Sequence, residues 1–166
     1  MTAPIRRRTR AREIAMQVLF QFDVRGEQYP GEVGKTTAAL CADEASDEVD
    51  VVEFATRLVE GTRAHREEID LKLQAVTRNW DLRRMANVDR NVLRMAVYEL
   101  MFCADVPPKV AINEAIDLGK KYSTANSGGF VNGILDRIRI DLEGERGGKS
   151  PAVPPDPQPD AGAASA

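Results

Sequence analysis

Three features of this sequence predict an all-α fold. Apolar residues recur at the three- and four-residue spacing of a helix face along most of the chain. No stretch of four or more residues alternates as a strand with turn signals on both sides. Glycine- and proline-containing breaks divide the chain into segments close to ordinary helix length, joined by short connections. Together they give a compact helical domain of about seven helices, either one bundle or two packed bundles.

The first helix carries Ile14, Ala15, Val18, Leu19 and Phe22 on one face, begins at Arg12 and ends in "RGEQYPG". A second is expected after Pro30, with Val33, Thr37, Leu40 and Cys41 inward. Ser46 or Asp47 suits the N-cap of a third, whose stripe is Val51, Val52, Ala55, Leu58 and Val59. The chain turns between Gly61 and His65. A fourth helix follows on Ile69, Leu73 and Val76, its end anchored by Trp80. The fifth is apolar round most of its circumference, from Val88 through Val92, Leu93, Met95, Ala96, Val97, Leu100 and Met101, as suits a central helix packed on several sides. Asp105 to Pro108 stops it, and proline fits the first turn of the sixth, which presents Ile112, Ala115, Ile116, Gly119 and Tyr122. The loop "STANSGG" leads to a seventh with Phe130, Val131, Ile134, Leu135 and Ile138.

Residues 1–8 read as a flexible basic arm and 9–143 as the helical domain. The segment 144–166 holds five of the nine prolines and no aliphatic side chain larger than valine, the composition of a disordered tail. No apolar run is long enough to span a bilayer, and Glu13, Gln17 and Asp23 interrupt any secretory signal, so a cytoplasmic protein is expected. One histidine and two distant cysteines, Cys41 and Cys103, provide no metal-ligand spacing and suit buried thiols better than a disulfide. "GEVGKTT" falls two residues short of a phosphate-binding loop and follows no strand. No nucleophile–base pair stands out, so neither catalysis nor a cofactor is expected.

One segment contradicts the overall charge. The chain carries a net charge of -3, yet "RRRTRAR" from Arg6 to Arg12 places five arginines in seven residues, with no acid before Glu13. Positive charge at a helix N-terminus opposes the helix dipole and has no local folding benefit. Guanidinium groups fork onto phosphate oxygens and stack on bases, which points to RNA. Downstream, Lys120 and Lys121 precede a glycine loop in which Ser127 suits the N-cap of the last helix, an arrangement that favours an anion. A protein-binding helical adaptor or homodimer, with the arginines meeting an acidic protein, is the alternative.

The blocks "RRRTRAREIAMQVLFQFD", "LR-x-A-x-YEL" at Leu93 to Leu100, "VAINEAI-x-L" at Val110 to Leu118 and "FVNG-x-LD" at Phe130 to Asp136 resemble, in order and spacing, the NusB family of bacterial transcription antitermination factors. The resemblance runs from about Arg6 to Ile140. It implies two three-helix bundles with a seventh helix. It also implies pairing with NusE, a small-subunit ribosomal protein, to bind boxA RNA of ribosomal leaders, and action on RNA polymerase alongside NusA and NusG. Carried over by position, Arg6, Arg7, Arg8, Arg10 and Arg12 match the family's basic RNA-binding motif. Phe130 falls where the family places an aromatic near RNA, although its spacing to Ile134 and Ile138 fits a core position equally well. Phe20 and Asp89 match positions near the NusE surface. Arg90 and Arg94 follow Asp89 and are expected on the exposed side of the central helix. The short side chains of Ser127 to Gly129 and the proline-rich tail depart from the family pattern. The family fold also opens some ribosomal RNA methyltransferases; a standalone factor is expected here.

Overall fold

The computed structural model describes residues 4–26, 49–77 and 81–146, with side chains from Arg7 onward in the first stretch. The expected second helix with Cys41, the "GEVGKTT" segment, the Ser46–Asp47 cap, Trp80, the side chain of Arg6 and the tail from residue 147 lie outside these residues. Six α-helices are described: α1 (Pro4–Arg25), α2 (Val49–Ala64), α3 (Arg66–Val76), α4 (Asn87–Phe102), α5 (Pro108–Tyr122) and α6 (Ser127–Arg146), with a 3-10 turn at Leu82–Arg84 before α4. No strand occurs among the described residues.

Helix α4 is the axis of the molecule. Every residue from Arg90 to Leu100 is buried, and α4 packs against all five other helices. On one side α1 and α2 lie against each other and against α4; on the other, α5 and α6 form a pair that closes on α4, with α3 set against α4 and α6. The all-round apolar sequence of α4 is thus matched by all-round burial. Leu93, Met95 and Val97 meet Ile14, Leu58, Leu73, Leu135 and Ile138 in one continuous core, and each such side chain contributes roughly 1.5–3 kcal/mol when fully buried.

Helix ends follow local chemistry. Gly26, at φ 97°, takes the left-handed conformation that terminates α1, and its N–H donates to the Phe22 carbonyl at 2.9 Å. Pro108 opens α5 at the position where its missing N–H costs nothing. The turn expected between Gly61 and His65 falls at His65; Gly61 lies inside α2, where a Cβ would sit 2.1 Å from the Tyr98 ring. Only glycine permits that approach of α2 to α4. Beside it, the His65 ring stacks on Phe102 with centroids 4.0 Å apart.

Two expectations are corrected. Helix α1 begins at Pro4 rather than Arg12, so Arg7, Arg8 and Arg10 stand on helical turns and not on an arm. Those turns are tied down by tertiary ion pairs, Arg7 to Asp50 at 2.7 Å and Arg8 to Asp105 at 3.2 Å. Arg90 and Arg94 are buried instead of lying on an exposed face. The physical reason is a pair of carboxylates on the neighbouring helices. Arg90 donates to Asp23 at 2.9 Å, to the Leu82 carbonyl at 2.8 Å and to Asn87. Arg94 holds Asp70 through two hydrogen bonds of 2.8 and 3.0 Å and lies 3.7 Å from Asp23. These bonds join α1, α3 and the turn before α4 to the central helix.

Burial alone would push the Asp23 carboxyl up, but hydrogen bonds from Arg90 and Asn91 and the charge of Arg94 bring it below the usual carboxylate range. A carboxyl depressed on folding stabilises the protein above its unfolded pKa, and that contribution is lost as pH falls through the folded value. Asp23→Asn is therefore expected to cost about 3 kcal/mol in urea unfolding at neutral pH, because it leaves Arg90 without its counter-charge. The gap between variant and parent should narrow as pH falls below the ordinary aspartate value of about 4 and through the lower folded value, where the parent's Asp23 also takes up a proton. A gap that stays constant with pH would show that the pair carries no such contribution.

Candidate nucleic-acid interface

Helix α1 presents two faces from one sequence. Ala11, Ile14, Ala15, Val18, Leu19 and Phe22 recur at helical spacing and are buried against α2 and α4, while Arg7, Arg8 and Arg10 stay half-exposed. The fifth arginine behaves differently. Arg12 is 2% exposed, and its guanidinium grips Glu99 of α4 through Nε at 3.0 and 3.2 Å and Nη2 at 2.8 Å. Its Nη1 lies 3.7 Å from Glu114 of α5, which also accepts the Thr9 hydroxyl at 3.0 Å. Burial pushes the Glu99 carboxyl up against the opposing pull of Arg12. Arg12 therefore leaves the set of surface arginines: it is the buried bolt that fixes α1 to α4.

Around this bolt the basic groups gather from separate parts of the chain. The Arg8 guanidinium lies 4.1 Å over the Phe54 ring, with Arg57 of α2 at 5.8 Å from the same ring. Arg8 and Arg57 share Asp105, which Arg57 holds at 2.8 Å through Nη2 and at 3.2 Å through Nη1. The Arg57 hydrogen bonds draw the Asp105 carboxyl far below the usual range. Glu13 links the two basic segments named from the sequence, taking Lys121 at 2.7 Å on one oxygen and Arg10 at 3.5 Å on the other. Its hydrogen bond raises Lys121 above the ordinary lysine value. Lys120 is exposed, its aliphatic stem lying over Gly128 at the start of α6.

Ser127 is the first residue of α6 rather than a residue ahead of it. Its hydroxyl donates to Asp89 of α4 at 2.9 Å and accepts from the Thr124 N–H at 3.3 Å, so it ties the starts of two helices together. Phe130 is partly buried and packs against the core, an intermediate position between the two expected for it. Phe20 is likewise partly buried. It precedes Asp23 by one helical turn, and Asp89 immediately precedes Arg90, the partner of Asp23. Arg90 itself is turned inward by that pair and presents no charge to a partner.

The sequence reading missed the carboxylates Asp50 and Asp105 and a fourth arginine of this face, Arg57. Asp50 and Asp105 lie 43 and 97 residues from their arginines, and no local pattern signals such pairings. Cys103 is a buried free thiol, pushed up to about 11 by burial. Among the described residues no His, Cys, Asp and Glu group has the arrangement to hold a metal ion, and no helix is long and apolar enough to cross a membrane.

An arginine-rich helix bolted into a body that is helical throughout its described residues, with Lys121 of a second segment drawn to its side, defines a helical protein with a basic face. Comparison with known proteins identifies its family. The model of the NusB family matches residues 9–139, and this chain belongs to that family. The Transcription antitermination protein NusB of Anaeromyxobacter sp. (strain Fw109-5) is 50% identical over 140 residues, covering 84% of this chain and 94% of its own length. Among solved structures, T. maritima NusB superposes with a TM-score of 0.73 at 39% identity, covering 85% of this chain and 94% of its own. A chain from a crystal structure of the antitermination factors NusB and NusE in complex with dsRNA gives a TM-score of 0.71 at 33% identity, over 81% of this chain and 97% of that one.

The two kinds of arginine on α1 make different contributions to stability. Arg12→Ala leaves Glu99 buried without its partner and should destabilise the protein by about 3–5 kcal/mol in chemical denaturation. Arg8→Ala, which removes a half-exposed pair, should cost less than about 1 kcal/mol. Equal losses would refute the division of α1 into a bolt and a surface.

Proposed function

We propose that this protein is a non-catalytic, cytoplasmic transcription antitermination factor that binds single-stranded boxA-type RNA of ribosomal leaders together with NusE and joins the RNA polymerase elongation complex with NusA and NusG. The observation that carries the reading is the anchoring of α1. Arg12 holds the helix in the core while Arg7, Arg8 and Arg10 remain half-exposed on the same helix, and Glu13 draws Lys121 beside them. Family membership, and a structural relative solved as a complex of NusB with NusE and dsRNA, support the same assignment.

The chemistry is recognition without bond-making. Arg7, Arg8, Arg10, Lys120 and Lys121 contact phosphate, joined by Arg6 of the same motif, and Phe130 lies near the α6 start. Each surface arginine gives up a carboxylate as it takes a phosphate oxygen, so the gain per contact is smaller than for a bare basic peptide. That exchange favours ligands that meet several arginines at once and explains a need for a partner that adds further contacts. Phe20 of α1 and Asp89 of α4 are the NusE-facing residues, on helices joined by the Asp23–Arg90 pair.

Fluorescence anisotropy of a labelled boxA-type RNA, with and without NusE over a range of salt, tests this reading. Tighter, sequence-selective binding with NusE is expected, with a log–log salt slope near -3 for about four or five phosphate contacts on a single strand. Arg7→Ala combined with Arg8→Ala should weaken binding and flatten the slope while leaving the fold intact. Equal binding of scrambled RNA with no gain from NusE would overturn the assignment.

A further inference from the structure

We propose that Arg57 of α2 is a phosphate-binding residue of the RNA face, seated with Arg8 across the Phe54 ring so that the two guanidinium groups take one phosphodiester between them. The proposal rests on the RNA reading above and adds to it a residue outside the N-terminal basic segment.

The geometry carries it in three steps. Arg8 and Arg57 lie 4.1 and 5.8 Å from the centroid of one aromatic ring. An arginine resting on an aromatic face keeps its planar donor edge available while its stem is held, which reduces the rotamer freedom lost on binding. Both arginines share a single carboxylate, Asp105, so each holds only part of a counter-charge, while Arg7 beside them is held by Asp50. Finally, Arg7, Arg8, Phe54 and Arg57 line an open cleft of about 280 Å³, with Asp50 and Glu53 along it. The Arg57 side chain is 38% exposed and that of Arg8 43%, so both border solvent. A phosphate entering this cleft meets two guanidinium forks and displaces one shared carboxylate.

The competing role for Arg57 is purely architectural. Through Asp105 it restrains the connection between α4 and α5, and loosening that loop would disturb the neighbouring helix ends. The two roles predict opposite signs for one pair of substitutions. If Arg57 contacts phosphate, Arg57→Ala removes a contact while Asp105→Asn removes a competitor, so the first weakens RNA binding and the second strengthens it. If the pair only holds the loop, either substitution breaks the same bond and both weaken binding alike.

The experiment measures binding of the labelled boxA-type RNA to the full-length protein and to Arg57→Ala, Asp105→Asn and Arg8→Ala, each with NusE present and with folding checked by circular dichroism. Arg57→Ala should weaken binding by about tenfold, as for loss of a charge-assisted hydrogen bond, with little change in the salt slope because Arg8 still holds the shared phosphate. Asp105→Asn should tighten it severalfold. Weakening by both substitutions would overturn the proposal, as would unchanged binding by Arg57→Ala beside a weakened Arg8→Ala; in either case the RNA reading stands. Unchanged binding by Arg57→Ala and Arg8→Ala together would overturn the RNA reading as well. A loss confined to NusE association, with RNA affinity of the protein alone unaltered, would instead place Arg57 on a protein interface and reject the phosphate role.

Discussion

The buried bond between Arg12 and Glu99 is the constraint on which the rest of this molecule turns. It joins the helix that carries the basic cluster to the helix that every other described helix packs against. Two charges taken out of water are tolerated here because the guanidinium engages both carboxylate oxygens and has Glu114 nearby. Such a pair is weak evidence of net stability, yet breaking one side of it is expensive. Its value is positional. With Arg12 fixed, the rotation of α1 about its own axis is fixed too, and Arg7, Arg8 and Arg10 are held half-exposed. The same device recurs at the other end of α1, where Asp23 binds Arg90 and Arg94.

The acidic composition of the chain acquires a meaning in this light. Carboxylates from α2, from the α4–α5 connection and from α1 itself each hold a basic side chain of the proposed RNA surface: Asp50 with Arg7, Asp105 with Arg8 and Arg57, Glu13 with Arg10 and Lys121. Arginines crowded at a helix start repel one another and oppose the helix dipole; tertiary acids relieve both effects. They also compete with phosphate. A surface of this kind binds polyanions less indiscriminately than its arginine count suggests, which suits a factor that must choose one RNA among many.

Much of the fold was legible in the sequence because its signals are local and periodic. The stripe Ile14, Val18, Leu19 and Phe22, the all-round apolar α4 and the proline at the start of α5 each specify an element by spacing or by backbone chemistry. What escaped was decided by tertiary partners. Arg90 and Arg94 look like surface residues until Asp23 and Asp70 arrive from other helices, and Arg12 looks like its four neighbours until Glu99 lies beneath it. The start of α1 at Pro4 escaped for the same reason, since an arginine-rich turn with no acid nearby in sequence has nothing local to hold it. Family resemblance matched the five arginines to one RNA-binding motif and treated them as equivalent. Arg57 belongs to no motif and became visible only through the ring it shares with Arg8.

The claim that one arginine of the cluster is structural and the others are functional is tested most directly by replacing the bolt with an apolar pair. Arg12→Met combined with Glu99→Leu removes both buried charges without leaving either alone, an exchange that proteins commonly tolerate. RNA affinity of the double variant in the presence of NusE is the measurement. The account predicts a folded protein that binds within about twofold of the parent, since an apolar contact at the same point keeps α1 seated on α4 in the same rotation and its surface arginines are untouched. A folded double variant that loses about tenfold or more in affinity would show that Arg12 itself serves the RNA, and would contradict the account.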